Sequence, residues 1–130
     1  MTVVIAYAPR PEGQAALVAG IEIARQRNEP LVVVNATPGD GDDESMASAQ
    51  DAERVERLLA GSGLQAEFKQ FGRGKGTVEE IEALVETLDA SLLVVGLRKR
   101  SAVGKLLLGS VARDLLLSVN CPVLCVKAPG

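Results

Sequence analysis

The residues best suited to chemistry in this 130-residue chain lie in one run, Gly96-Leu97-Arg98-Lys99-Arg100-Ser101-Ala102-Val103-Gly104-Lys105-Leu106-Leu107-Leu108-Gly109-Ser110. Arg98, Lys99, Arg100 and Lys105 stand in it without an intervening acid, although the chain as a whole carries a net charge of −3. The glycines at each end allow tight turns and a close approach of backbone to a ligand. Gly109 and Ser110 open a predicted helix, where free amides and the helix dipole favour an anion and the serine hydroxyl adds a donor. A phosphate-bearing ligand fits this combination better than any other class. A solvated basic loop ending in an ordinary helix cap is the alternative that these residues leave open.

Other motifs carry less. Gly104-Lys105 is followed by Leu106 and has no glycine five residues before Gly104, so the run is not a Walker loop. The first strand is followed by APRPEG rather than a dinucleotide fingerprint. Asp40, Asp42, Asp43 and Glu44 lack the spacing of a calcium loop and read as a solvated linker feeding the first turn of a helix. Gly72, Gly74 and Gly76, with Arg73 and Lys75 between them, read as a flexible strand-to-helix turn, with a phosphate loop as the other reading. Cys121 and Cys125 fall in a predicted strand, where four residues separate their Cα atoms by roughly 13 Å, too far for a disulfide. Two cysteines without a histidine make a poor metal site, so both are expected to be reduced core thiols.

The elements that must position the basic run alternate between strand and helix. Thr2 to Ala8 is an apolar strand ended by Pro9 and Pro11. Glu12 to Arg27 is helical, with Leu17, Ile21 and Ala24 on one face. Leu31 to Val34 is a continuous buried strand after Pro30. Pro38 to Ser45 is a loop, leading into a helix that stops at Gly61 and Gly63. Leu64 to Phe71 alternates as an edge strand does. Thr77 to Leu88 is a helix with Val78, Ile81 and Val85 inward. Ser91 to Val95 is a buried strand terminated by Gly96. A long loop then leads to a helix from Gly109 to about Asn120, and Pro122 to Lys127 is the last strand.

Five strands joined by helical crossovers predict an α/β domain over residues 1–130, a doubly wound open sheet of five parallel strands with helices on both faces. Strand order 3-2-1-4-5 would place a ligand crevice between the ends of strands one and four, with Ala8 facing Gly96.

The stretch VVGLRKRSAVGKLLLGSVARDLLLSVNCPVLCVK resembles the C-terminal half of universal stress proteins. That family carries G-x2-G-x9-G-S/T, which cradles nucleotide phosphates, then a helix, a C-P-V type turn and a closing strand. Gly96, Gly109 and Ser110 match at the family's spacing. The DASLLVVG entry to strand four and the strand ending in Asn35 extend the similarity over the whole chain. The resemblance implies an adenine nucleotide alpha hydrolase-like fold. It implies phosphate contacts from Gly96, Arg98, Lys99, Gly104, Lys105, Gly109, Ser110 and Val111, and a nucleoside pocket of Ala6, Tyr7, Ala8, Pro9, Asn35 and Val95. Two positions depart from the pattern: Lys99 stands at the family's second glycine, and Ala8 stands where nucleotide-binding members place an aspartate against the nucleoside.

The expected function is a regulatory module binding ATP or AMP, with Mg2+ as an accompanying ion. The alternative is a nucleotide-free dimeric adaptor acting on a protein partner. Family members dimerise through the closing strand, so the resemblance implies a homodimer along Val123, Leu124, Cys125 and Val126. Dedicated catalysis is not expected, because the chain has no histidine and its acidic tract belongs to another loop. An acidic chain whose basic run has no aromatic company does not suit nucleic acid. No stretch has the length of a membrane span, and MTVVIAYAP lacks the basic start of a signal peptide, so a cytoplasmic location is expected.

Overall fold

The computed structural model describes residues 1–35, 49–70, 76–100, 105–107 and 109–128. The predicted tracts at 38–45 and 71–75, the tip 101–104 with Gly104, and Leu108 lie outside the described residues.

The chain runs β1 (Thr2–Tyr7), α1 (Pro11–Arg27), β2 (Leu31–Asn35), α2 (Ala49–Ala60), β3 (Ala66–Lys69), α3 (Thr77–Thr87), β4 (Ala90–Arg100), β5 (Lys105–Leu107), α4 (Ser110–Ser118) and β6 (Val123–Lys127). Five of these strands are mutually parallel. β1 pairs β2 with Ile5 opposite Val33, β2 pairs β3 with Val33 opposite Phe68, β1 pairs β4 with Ile5 opposite Val94, and β4 pairs β6 with Val95 opposite Cys125. Counted along the chain, the parallel strands lie in the predicted order 3-2-1-4-5.

Continuous aliphatic runs form these strands because the sheet is covered on both sides. Along β1, Val3, Ile5 and Tyr7 pack with Leu17 and Ala24 of α1 and with Val55 and Leu59 of α2. Val4 and Ala6, pointing the other way, pack with Ile81 and Val85 of α3 and Leu115 of α4. All six residues of β1 are buried, and each large aliphatic side chain so placed contributes about 1.5–3 kcal/mol. β3 sits at one edge with a half-buried pattern, as its alternation requires.

Local chemistry sets the helix ends. Pro11 occupies the first turn of α1, where a missing N–H costs nothing. Asn28 closes the helix in the left-handed region at φ 54°, its amide reaching the carbonyls of Ala24 and Arg25.

One element departs from expectation. β4 does not end at Gly96 but continues to Arg100, and β5 folds back on it antiparallel, with Arg98 opposite Leu107 and Arg100 opposite Lys105. The basic run is therefore in part a β-hairpin rather than a loop. Its residues Leu97 to Arg100 keep the extended backbone of the strand, because β6 and then β5 supply ladder partners past the glycine. Cys121 precedes β6 rather than lying within it, and Pro122 separates the two.

Candidate functional site

The carboxyl ends of the parallel strands meet at one rim of the sheet. Tyr7 ends β1 with Ala8 next to it, Asn35 ends β2, and Gly96, opposite Val126 of β6, lies two residues past the last β1–β4 pair, Ile5 and Val94. The first turns of α1 and α4 stand at the same rim, since each helix starts where a strand finishes.

Two glycines let α1 approach this closely. A Cβ at Gly96 would lie 2.2 Å from the carbonyl oxygen of Glu12, and one at Gly13 would lie 1.9 Å from that of Ala8. The first turn of α1 thus rests directly on the ends of β1 and β4. The close approach that Gly96 permits is to this helix, a structural duty that spacing in the sequence does not reveal.

At α4, Gly109 is the residue before the helix, extended at φ −63° and ψ 162°, with no side-chain cap. Its carbonyl accepts the amide of Arg113 at 2.9 Å. The amides of Ser110, Val111 and Ala112 precede the first intrahelical bond and have no partner within the helix. Gly109 and Ser110 are exposed, a Cβ at Gly109 would meet nothing within 4 Å, and Val111 is half-buried against the core. Among the described residues, open space therefore borders the three amides of the first turn of α4, next after the basic hairpin. Arg98 is exposed on β4; Lys99 lies opposite Leu106 and Lys105 opposite Arg100 in that hairpin.

The residues named for the nucleoside pocket separate into two sets. Ala6 and Val95 are buried on the α3/α4 face, and Ala8 and Pro9 are half-buried at the rim. Tyr7 turns to the opposite face, where it is fully buried. Its hydroxyl donates to Asp51 Oδ2 at 2.7 Å and accepts from Gln14 Nε2 at 2.8 Å and Arg54 Nη2 at 3.2 Å. Arg54 also pairs with Asp51 Oδ1 at 3.0 Å, and the Tyr7 ring meets Phe68 edge to face at 6.1 Å. Burial, reinforced by the Asp51 hydrogen bond and charge, pushes the Tyr7 hydroxyl above its ordinary range, while Arg54 and Gln14 pull the other way. This network ties α1 and α2 to the end of β1. Asn35 is buried at the end of β2, and its Nδ2 donates to Gln70 Oε1 at 3.2 Å.

Sequence reading missed Glu12, Gln14, Asp51, Arg54 and Gln70. Of these only Glu12 and Gln14 had a local signal, their place in the first turn after a strand that ends at the crevice. Among the described residues no group of three or more potential ligands could hold a metal ion. A groove of about 280 Å³ lies between α3 and α4, lined by Glu79, Glu82, Glu86, Ser118 and Asn120 with Ala83, Val85 and Val119. It extends toward the start of β6, so it is separate from the rim. No described helix is long and apolar enough to cross a membrane.

Comparison with known proteins agrees with this architecture. A curated universal stress protein of Mycolicibacterium smegmatis is 44% identical over 129 residues, covering 98% of each chain. The solved structure of a universal stress protein from Archaeoglobus fulgidus superposes with a TM-score of 0.76 at 33% identity, over 97% of both chains. A universal stress protein from the same organism in complex with dAMP has a TM-score of 0.70 at 29% identity, over 97% of this chain and 96% of that one. These structures have the adenine nucleotide alpha hydrolase-like fold, the one found here. With the model of the universal stress protein family matching residues 1–127, and with the strand order, the twin-faced core and the uncapped helix after the basic run all in place, the chain belongs to the universal stress protein family.

Proposed function

We propose that residues 1–130 form one cytoplasmic regulatory module that binds an adenine nucleotide, ATP or AMP with Mg2+ as the accompanying ion. The observation that carries this reading is the open first turn of α4: uncapped amides after Gly109, beside Ser110, at the end of a hairpin holding Arg98, Lys99, Arg100 and Lys105. Phosphates would take the amides of Ser110 and Val111 and the Ser110 hydroxyl, and the cations would offset their charge. Ala6, Ala8, Pro9 and Val95 would border the nucleoside. The relative in complex with dAMP supports an adenine nucleotide as the ligand class. The role is regulatory rather than enzymatic, with bound nucleotide altering which partner the module engages.

A thermal-shift titration with ATP and Mg2+ tests this reading. Ligand at a hundred times its Kd stabilises the fold by about 2.7 kcal/mol, a rise of several degrees. Ser110→Glu is expected to abolish the shift by placing a negative charge where the phosphates sit, while leaving the melting point of the free protein near that of the wild type. Retained micromolar binding in that variant would overturn the assignment.

The second reading, a nucleotide-free dimeric adaptor, is favoured by Ala8, by Lys99 and by the surface around β6. Among the described strands β6 pairs only β4, so one of its edges is open. Leu124 on it and Leu116 and Leu117 on α4 are exposed, Leu117 to 79%. A homodimer along Val123–Val126 would cover that edge under either reading. Sedimentation at micromolar concentration should give a dimer that Leu124→Arg dissociates; a monomeric wild type would refute it.

A further inference from the structure

The groove between α3 and α4 takes no part in the nucleotide reading. Glu79, Glu82 and Glu86 form one stripe along α3, Ser118 and Asn120 face them from the end of α4, and Ala83, Val85 and Val119 add an apolar lining. None of these residues is basic. Glu79 is turned back over Gly76 at the start of α3, its carboxylate filling the space that a Cβ of that glycine would need, so it serves its own helix. Glu82 and Glu86 have no such duty, and neither carboxylate makes a hydrogen bond or an ion pair with another described residue.

The same groove lies at two helix carboxyl ends. α3 finishes at Thr87 and α4 at Ser118, and neither has a basic residue in its last turn. Each end presents carbonyls that its helix leaves unpaired and the negative pole of its dipole, where a lysine or arginine is favourable. Glu86 occupies that turn of α3 instead. Negative charge is thus concentrated at a concave, partly apolar surface whose own residues do not offset it. An ammonium on an aliphatic stem complements both features, its charge meeting carboxylate and carbonyl and its methylenes meeting the valines and the alanine. Leu117, next to Ser118 in α4, is 79% exposed. A small free cation leaves that leucine in water, whereas a segment of chain covers it.

We propose that the α3/α4 groove is a docking surface for a lysine-bearing amphipathic segment of a partner protein, with Glu82 and Glu86 receiving its ammonium groups and Leu117 an apolar side chain beside them. The groove is separate from the crevice rim, so the assignment stands apart from the nucleotide reading.

Fluorescence anisotropy with a labelled lysine–leucine–alanine repeat peptide, and with its counterpart carrying glutamate for lysine, tests it. The wild type should bind the first and not the second. Glu82→Gln/Glu86→Gln should weaken binding about tenfold or more, and Leu117→Ser several-fold. Glu53→Gln/Glu56→Gln, which removes the same charge from the exposed face of α2, should bind as the wild type does. No binding by the wild type, undiminished binding in the groove variant, or an equal loss in the α2 variant would overturn the proposal, the last by showing attraction to net charge alone. Spermidine that binds as tightly as the peptide, with no loss in Leu117→Ser, would assign the groove to a free polyamine and also overturn it. The unliganded Glu82→Gln/Glu86→Gln protein should melt at or above the wild-type temperature, because it loses an acid from a helix carboxyl end; a lower melting temperature would refute the crowding of negative charge on which the docking role rests.

Discussion

Replacing Tyr7 with phenylalanine removes one oxygen from the most connected polar node in the described structure. The aromatic contact with Phe68 and the burial of the ring are kept. What is lost is the donation to Asp51, charge-assisted and worth about 1.5–3 kcal/mol, the bond from Gln14, worth about 1 kcal/mol, and the longer bond from Arg54, which keeps its pairing with Asp51. Asp51 keeps Arg54 as a partner and its side chain is 15% exposed, so water and the guanidinium recover part of the loss. The net destabilisation is therefore about 2 kcal/mol, which lowers the melting temperature of a domain this size by roughly 6–10 °C. Urea unfolding followed by circular dichroism measures it, with the slope expected to stay unchanged. The dependence on pH supplies a second check. Burial and Asp51 hold the Tyr7 proton above the ordinary tyrosine range, so as pH rises past about 10 the unfolded chain releases its proton first. The stabilisation is complete below that pH and fades above it, and the curves of wild type and Tyr7→Phe should converge in strong base. A difference under about 0.5 kcal/mol at neutral pH would refute the argument that the hydroxyl network holds α2 to the sheet.

The two glycines that border the basic run should behave oppositely. Gly96→Ala drives a Cβ into the backbone of Glu12 and should cost about 1–3 kcal/mol, whereas Gly109→Ala meets no described atom and should cost only the weaker helix cap, under about 1 kcal/mol; equal melting points would contradict the packing described. Cys121, whose thiol is pushed up chiefly by burial, should react with iodoacetamide at pH 8 more slowly in the native protein than in urea, and identical rates in both would count against a sheltered thiol.

Much of the fold was legible because its signals are local. Leu31 to Val34 could only be a strand covered on both faces, the Val78, Ile81 and Val85 spacing reads as one helix face, and Pro11 marks the start of α1. Gly96 misled for a physical reason: a glycine after an apolar run signals a stop when read locally. Whether a strand continues depends on partners, and those of Leu97 to Arg100 come from β6 and β5. At the site, Gly109 and Ser110 were readable from their place before a helix. The Tyr7 network was not, since Asp51 lies 44 positions away and nothing near either residue announces the other. Glu12 was hidden in a similar way, because its contact with Gly96 exists only once β1 and β4 lie side by side.

The central place of β1 bears on how the chain is made. Its two neighbours are β2, which follows after one helix, and β4, which begins only at Ala90. At a synthesis rate of about 5–20 residues per second, β1 leaves the ribosome on the order of ten seconds before the strand that seals its second edge. During that interval a strand with the apolar run Val3 to Ala6 has one unpaired side, the kind of surface that chaperones hold and that misassembly exploits. Slowing translation before residue 90 should therefore raise aggregation of the nascent chain more than an equal delay after it.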